Sequence, residues 1–303
     1  MDNYGKGCRV LLVAAVLMVA MVSSGRCEQQ EPAAAAKERF LPLQPRSDWN
    51  SQISISLLPT SDLHGIPASV GINDYRLRLV RNVNINDKLT LSLGGGYGHK
   101  HIDASADAGL PQDLHSLYLD AGAYYKFNAR SFASVKMTPG FYSDFKDLGS
   151  DDLRMPVLAL GGYAFSNGMT LIGGFAYRFG YHSAQFIPAL GLTYQVNDQW
   201  RIDLIAPRPG VTYSASRQLQ LFVAGDFSSD EYELKDRAQG AKVIKYRDYR
   251  VLGGVDYLPT KQVKLSGAVG YAFDRDFVFY DGNRSSMRMD NVPFMRLSLD
   301  FGW

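Results

Sequence analysis

The chain has 303 residues, 46% hydrophobic and 20% charged, with 32 Lys and Arg against 30 Asp and Glu. A net charge of +2 leaves no basic footprint for nucleic acid. The mean hydropathy is slightly negative, so apolar membrane helices cannot make up most of the chain. Aromatic residues are 12% and glycines number 29, a mix that suits strands and turns.

The first element is an apolar run, Val10 to Val22, preceded by Lys6 and Arg9 and followed by Ser23, Ser24 and Gly25. It is shorter than the roughly 17 residues a spanning helix needs and has the form of a secretory signal. Residues 1–25 are therefore expected to be a signal peptide cut near 25–27. The cysteines are Cys8 and Cys27, and Arg26 is wrong for a lipoprotein cleavage box. Neither a lipid anchor nor a disulfide is expected. Residues 26–48, rich in Pro, Gln and charge, show no strand period and read as a flexible periplasmic leader.

From Trp49 to Trp303 the hydrophobic period is two. Ile53, Ile55 and Leu57 alternate with polar residues, as do Leu77 and Leu79, Leu89 to Leu93, Leu117 to Phe127, Leu171 to Phe179, and Leu190 to Tyr194. Further runs cover Tyr249 to Tyr257, Val263 to Phe273 and Met295 to Trp303. Connections also alternate. Tight turns fall at 84–87, 128–131, 166–168, 197–199, 214–217 and 259–261. The intervening loops are mostly longer, at 59–69, 99–113, 146–154, 228–242 and 274–292. Short turns on one side and long loops on the other are the plan of an up-and-down membrane barrel. The fold predicted is all-β: a closed antiparallel transmembrane β-barrel of 14 strands, or 12 if the short runs flanking 207–210 do not cross.

A soluble sandwich would share the period but bury its apolar face. Two features favour a barrel with that face in lipid. Aromatics gather at both strand ends: Phe127, Tyr194, Trp200, Tyr257, Phe301 and Trp303 by the tight turns, Tyr97, Phe141, Phe179, Tyr181, Tyr271 and Phe273 by the long loops. The opposite face carries charge at Arg76, Arg78, Lys126, Lys136, Arg178, Asp203, Asp226, Arg250, Lys264, Arg296 and Asp300. A lipid-facing charge costs about 2–4 kcal/mol at midplane, so these are the lumen-facing candidates. Pro139 and Pro188 fall inside strand runs, where a bulge or strand end is expected. The run Met155 to Phe165 is apolar on both faces and leaves its register open.

The alternating end of the chain, with Leu297, Leu299, Phe301 and Trp303 on one face, resembles the assembly signal of bacterial outer-membrane proteins. The resemblance implies an outer-membrane location, termini in the periplasm, and recognition of those four residues by the barrel-assembly machinery. The stretch 186–213, with Pro188, Trp200, Pro207 and Tyr213, also resembles an uncharacterised outer-membrane family, a domain of unknown function.

Five histidines occur: His64, His99, His101, His115 and His182. His99 and His101 share a strand face and His115 lies across one loop, a conceivable metal arrangement; solvent-exposed rim histidines are the simpler reading, and no metal or other cofactor is expected. His115 and Ser116, like His182 and Ser183, are adjacent on a strand and point to opposite faces, so neither pair is a catalytic dyad. An outer-membrane lipid hydrolase is the least favoured reading. The segment 144–152 gathers Asp144, Asp147, Asp151 and Asp152 without calcium-loop spacing. What remains is a narrow passive channel for small polar or ionic solutes, or a plugged structural or surface-binding barrel. The expected partners are outer-membrane lipid, lipopolysaccharide and the assembly machinery.

Overall fold

The computed structural model describes residues 43–303 apart from 46, 207 and 236–239. The expected signal peptide and the leader as far as residue 42 lie outside the described residues. The strands are β1 Trp49–Asp62, β2 Ser69–Asn84, β3 Leu89–Ala104, β4 Asp113–Lys126, β5 Ser131–Met137, β6 Gly140–Ser143, β7 Leu153–Ala164 and β8 Met169–Phe179. They continue with β9 Phe186–Gln195, β10 Trp200–Leu204, β11 Gly210–Ser214, β12 Leu219–Glu233, β13 Val243–Tyr257, β14 Val263–Tyr280, β15 Met287–Met289 and β16 Val292–Gly302. Two one-turn 3-10 helices, Ala106–Ala108 and Ser150–Asp152, sit in the long loops.

Sequential strands pair antiparallel around the whole ring, and β1 pairs β16 from Asn50↔Gly302 to Leu57↔Met295. Strands β5 and β6 are halves of one crossing, parted at Thr138 and Pro139, and β15 is a short extension beside β14. The barrel is therefore closed and has fourteen staves. Closure is tied off by Trp49 and Trp303, whose backbones exchange hydrogen bonds of 2.9 and 3.1 Å and whose rings stack at 6.0 Å.

The outer face is apolar throughout. Leu190 is 78% exposed, Val269 68%, Leu93 65% and Val223 61%. A continuous band of this kind is far larger than the apolar patches of soluble monomers and is the lipid-facing belt of a membrane barrel. At the tight-turn end the belt is edged by exposed Phe127, Trp200, Tyr257 and Trp303. Tyr181 departs from the aromatic expectation: it is buried, and Arg178 packs on its ring at 3.9 Å.

The strands outrun their expected ends at the long-loop side. A register shift in β1 between Leu58 and Ser61 skips one residue, and β14 carries a second shift between Phe273 and Asp276, where Asp274 has φ +47°. Each bulge flips the side-chain parity beyond it. Period-two counting stops there, so β1 to Asp62 and β14 to Tyr280 read as loop in the sequence. Pro139 does sit at a strand break. Pro188 does not: β9 runs through it opposite Phe175. It is tolerated because β10 pairs with β9 only from Leu192 onward, leaving Pro188 on an edge. In β7 the open register resolves with Met155, Val157 and Ala159 outward, opposite Phe179, Tyr177 and Phe175.

Because Trp303 completes the seam, Trp303→Ser is expected to lower the yield of folded barrel, while Ser298→Ala is not. Heat-modifiable gel migration of membrane fractions measures this, and equal folded yields would refute the role given to the ring pair.

Candidate functional site

Strand β2 places Asp74, Arg76 and Arg78 at alternate positions, so all three side chains enter the lumen. Arg76 meets Asp74 at 2.9 Å and Asp230 of β12 at 3.2 Å, bridging the lumen. Arg78 meets Asp120 of β4 at 2.6 Å, and Lys136 of β5 meets the same carboxylate at 3.1 Å. Lys100 of β3, only 1% exposed, donates to Asp74 at 2.9 Å. Four cations face three carboxylates, leaving a single positive excess. Around this network lies a cavity of about 210 Å³, lined by Arg76, Arg78, Lys136, Asp230, Tyr118 and Tyr142 among others. Tyr118 fits because position 96 is glycine, whose added Cβ would come within 2.4 Å of that ring.

Tyr118 and Tyr142 stack at 6.4 Å, and Tyr142 meets Tyr232 at 6.2 Å, forming a roof toward the long loops. Beyond it the lumen is packed. Leu58, Val70, Ile72, Ile102, Leu114, Ile244, Tyr246 and Phe277 form one buried apolar cluster there. Arg275, fully buried, is held within this region by Ser61 Oγ at 2.9 Å and the Asp290 carbonyl at 2.8 Å. Glu233 of β12 pairs in parallel with Ser143 of β6, drawing opposite walls together at this level.

Toward the tight turns the lumen is divided: Tyr124, Phe132, Leu160, Ala164 and Ile172 form a second buried apolar cluster on the β4–β8 side, and ion pairs line the β10–β16 and β1 side. Lys264 meets Asp300 at 3.2 Å, and Gln52 donates to the same carboxylate at 2.6 Å. Arg296 meets Asp226 at 2.6 Å, Arg250 meets Asp248 at 2.7 Å, and Asp203 meets Arg201 at 2.8 Å. Lys126 shares the strand face of Asp120 and Tyr124; Arg178, at the opposite, long-loop end of β8, donates to the Ser229 carbonyl at 3.1 Å. Sequence reasoning passed over Asp74, Lys100, Asp120, Asp230 and Asp248 as site residues. Asp74 and Asp248 stand two residues from Arg76 and Arg250, and Asp120 six from Lys126, each on the same face, so strand parity alone could have found them.

The remaining candidates resolve as anchors of the long-loop end. His182 and Ser183 do not lie on a strand as expected but in loop 180–185, where both backbone N–H groups donate to the buried Glu231 carboxylate; Ser183 Oγ also bonds it and receives Lys245 Nζ at 2.9 Å, which clamps the loop onto β12. Asp152 accepts the Gly149 N–H at 2.6 Å and lies near Lys235, so the aspartate-rich segment forms a capped turn. Arg284, outside the strands, donates to the Gly109 carbonyl at 2.6 Å; burial pushes its guanidinium below its ordinary value. His64 meets Asp290 at 2.6 Å and His182 meets Asp281 at 3.0 Å.

A family model described as a domain of unknown function, DUF6268, matches residues 72–300. The chain belongs to the DUF6268 family. A comparison with curated proteins gave no match. Among solved structures, this DUF6268 barrel is similar to the COG4313 outer membrane channel from Pseudomonas putida F1, at 14% identity and TM-score 0.49, covering 90% of this chain and 100% of that one. It is also similar to a Pseudomonas aeruginosa FadL homologue at 10% identity and TM-score 0.43, covering 84% of this chain and 90% of that one. The KdgM porin, solved with disordered oligogalacturonate, matches at 9% identity and TM-score 0.37, with coverage of 83% and 99%. The DUF6268 chain is thus a closed antiparallel β-barrel with an apolar outer belt.

Removing one partner of a buried ion pair strands a charge and costs about 3–5 kcal/mol. Asp74→Asn, which leaves Lys100 buried against an uncharged side chain, is expected to lower the urea midpoint of the barrel in lipid accordingly. Combining it with Lys100→Met should recover part of the loss. A midpoint unchanged by Asp74→Asn would show that the pair is not formed.

Proposed function

We propose that the barrel is a narrow passive channel for small polar or ionic solutes, with its tight turns in the periplasm and its long loops outside the cell. The observation that carries this is the polar chamber of about 210 Å³ at the Arg76–Asp230 bridge, from which charged and amide side chains of β1 and β12–β16 continue along one side of the lumen to the tight-turn end. Mixed charge in a confined space selects by size and by charge together. The single positive excess favours anions. The tyrosine roof and the apolar packing above it close the resting passage, so flow requires Tyr118, Tyr142 and Tyr232 to part. On the outside, the apolar belt is the contact surface for outer-membrane lipid and lipopolysaccharide. Leu297, Leu299, Phe301 and Trp303 remain the proposed signal for the barrel-assembly machinery.

A second reading rests on one different feature of the wall. Strands β10 and β11 have five residues each. The upper part of β9, from Phe186 to Gly191, and the nine residues of β12 beyond Ala224 therefore lack each other as partners. The inner face beside this notch carries Leu158, Ala176 and Ile187, with Leu158 and Ile187 exposed. An apolar solute could leave the lumen sideways into the bilayer there. The loop clamp on Glu231 bridges the notch near its top.

Purified barrel in a planar bilayer is expected to give small conductance steps with mild anion preference. Tyr142→Ala should enlarge them several-fold, and Lys136→Glu should move the reversal potential toward cation preference. The polar-channel reading fails if neither variant conducts. Uptake of a fluorescent apolar probe into proteoliposomes, lost on Ile187→Arg and unaffected by Lys136→Glu, would establish the second reading instead.

A further inference from the structure

Strands β3 and β4 pair in a register that sets His99 opposite His115 and His101 opposite Asp113. All four lie on odd-numbered positions, the parity of Tyr97, Leu117 and Leu119, whose side chains leave the barrel wall. Lys100, between the two histidines, points the other way and is buried on Asp74. The histidines and Asp113 thus form a cluster outside the barrel, at the long-loop edge of the apolar belt.

Their donor atoms converge. His99 Nε2 and His101 Nδ1 both reach Asp113 Oδ1, at 2.7 and 2.8 Å. The three ligand atoms lie within 4.8 Å of one another. The ring of His99 is sandwiched, with Tyr75 at 5.8 Å and His115 at 4.8 Å between centroids. His115 in turn bonds the Tyr97 hydroxyl through Nδ1 at 2.8 Å. This stacking fixes the His99 imidazole before any ligand arrives. All three donors are 28–42% exposed at their side chains, so an ion reaches them from solvent. A tetrahedral metal with bonds of about 2.0–2.1 Å holds its ligands about 3.3 Å apart. The present contacts are tighter than that by roughly half an ångström, so a small opening of the triad admits an ion.

We propose that His99, His101 and Asp113 bind a borderline divalent transition metal of the Zn²⁺ or Co²⁺ type. Two imidazoles and one carboxylate suit such ions and not the hard cations Ca²⁺ or Mg²⁺, which take oxygen donors. Three protein ligands leave a coordination position open, facing away from the wall. The converging donor atoms sit on the outer face by strand parity, and occupancy staples the top of the β3–β4 hairpin.

The test uses untagged, chelator-stripped barrel in detergent, titrated with Co²⁺ and followed by visible absorption, and with Zn²⁺ by calorimetry. One equivalent is expected to bind. Nitrogen ligation should give the intense visible bands of a low-coordinate Co²⁺ site. His101→Ala and Asp113→Ala should each weaken Zn²⁺ binding at least tenfold, while His64→Ala, remote from the triad, should leave it unchanged. Heat-modifiable migration of every variant controls for folding. Binding that survives the His101→Ala and Asp113→Ala double substitution in folded protein would overturn the site. So would equal affinity for Ca²⁺, or no stoichiometric binding by the unaltered barrel.

Discussion

Every backbone N–H and C=O exposed to lipid must find a partner, because hydrocarbon offers none. That requirement makes the β1–β16 seam the contact on which the rest depends. With the ring closed, no edge remains in the tight-turn half, and side chains divide between two solvents by parity alone. The stacked pair Trp49 and Trp303 stands where the ring is joined, at the level of the bilayer surface where large aromatics are most at ease. The charged lumen is a consequence of closure: residues that lipid would reject can be carried only on the face that the wall hides.

The interior then divides along its length. Toward the tight turns the inward residues are ion pairs on one side of the lumen and a small apolar cluster around Phe132 on the other. Toward the long loops they are apolar and packed, and the Glu233–Ser143 bridge draws the walls together. A fourteen-strand ring is wide enough to leave space, so the filling comes from large inward side chains and from the bulges that turn Arg275 and Phe277 inward. The wall is also uneven. Full-length pairing elsewhere contrasts with five-residue β10 and β11, and the structure compensates above them with the Ser183–Glu231 clamp and the Arg178 contact to β12. The place where backbone pairing is poorest is thus the place where side chains bind the wall together.

Much of the fold was legible in the residues. Period two, tight Asn and Asp turns, aromatic rims and inward charge together require an even-stranded closed barrel. The errors have identifiable causes. Bulges at Leu58–Ser61 and at Asp274 reset the period, so strands reaching above the belt looked like loops. Pro188 looked like a break because an edge cannot be recognised without knowing how short its neighbour is. Tyr181 looked like a rim residue, yet the loop after Gly180 folds it back over Arg178. The inward charges were visible one strand at a time; their pairing was not.

What the sequence by itself determined is local and repetitive: which side of each strand meets lipid, where the chain turns, and that the ring must close. These follow from alternation, which neighbours in the chain report directly. What only the tertiary structure decided are relations across the barrel. Asp230 meets Arg76 from 154 positions away. Arg296 meets Asp226, and three tyrosines from β4, β6 and β12 meet in one roof. His99 and Asp113 meet across one hairpin, but only the register of β3 against β4 aims them at one point. Register and curvature set those distances, and both are properties of the closed ring, in which the position of each strand depends on all the others.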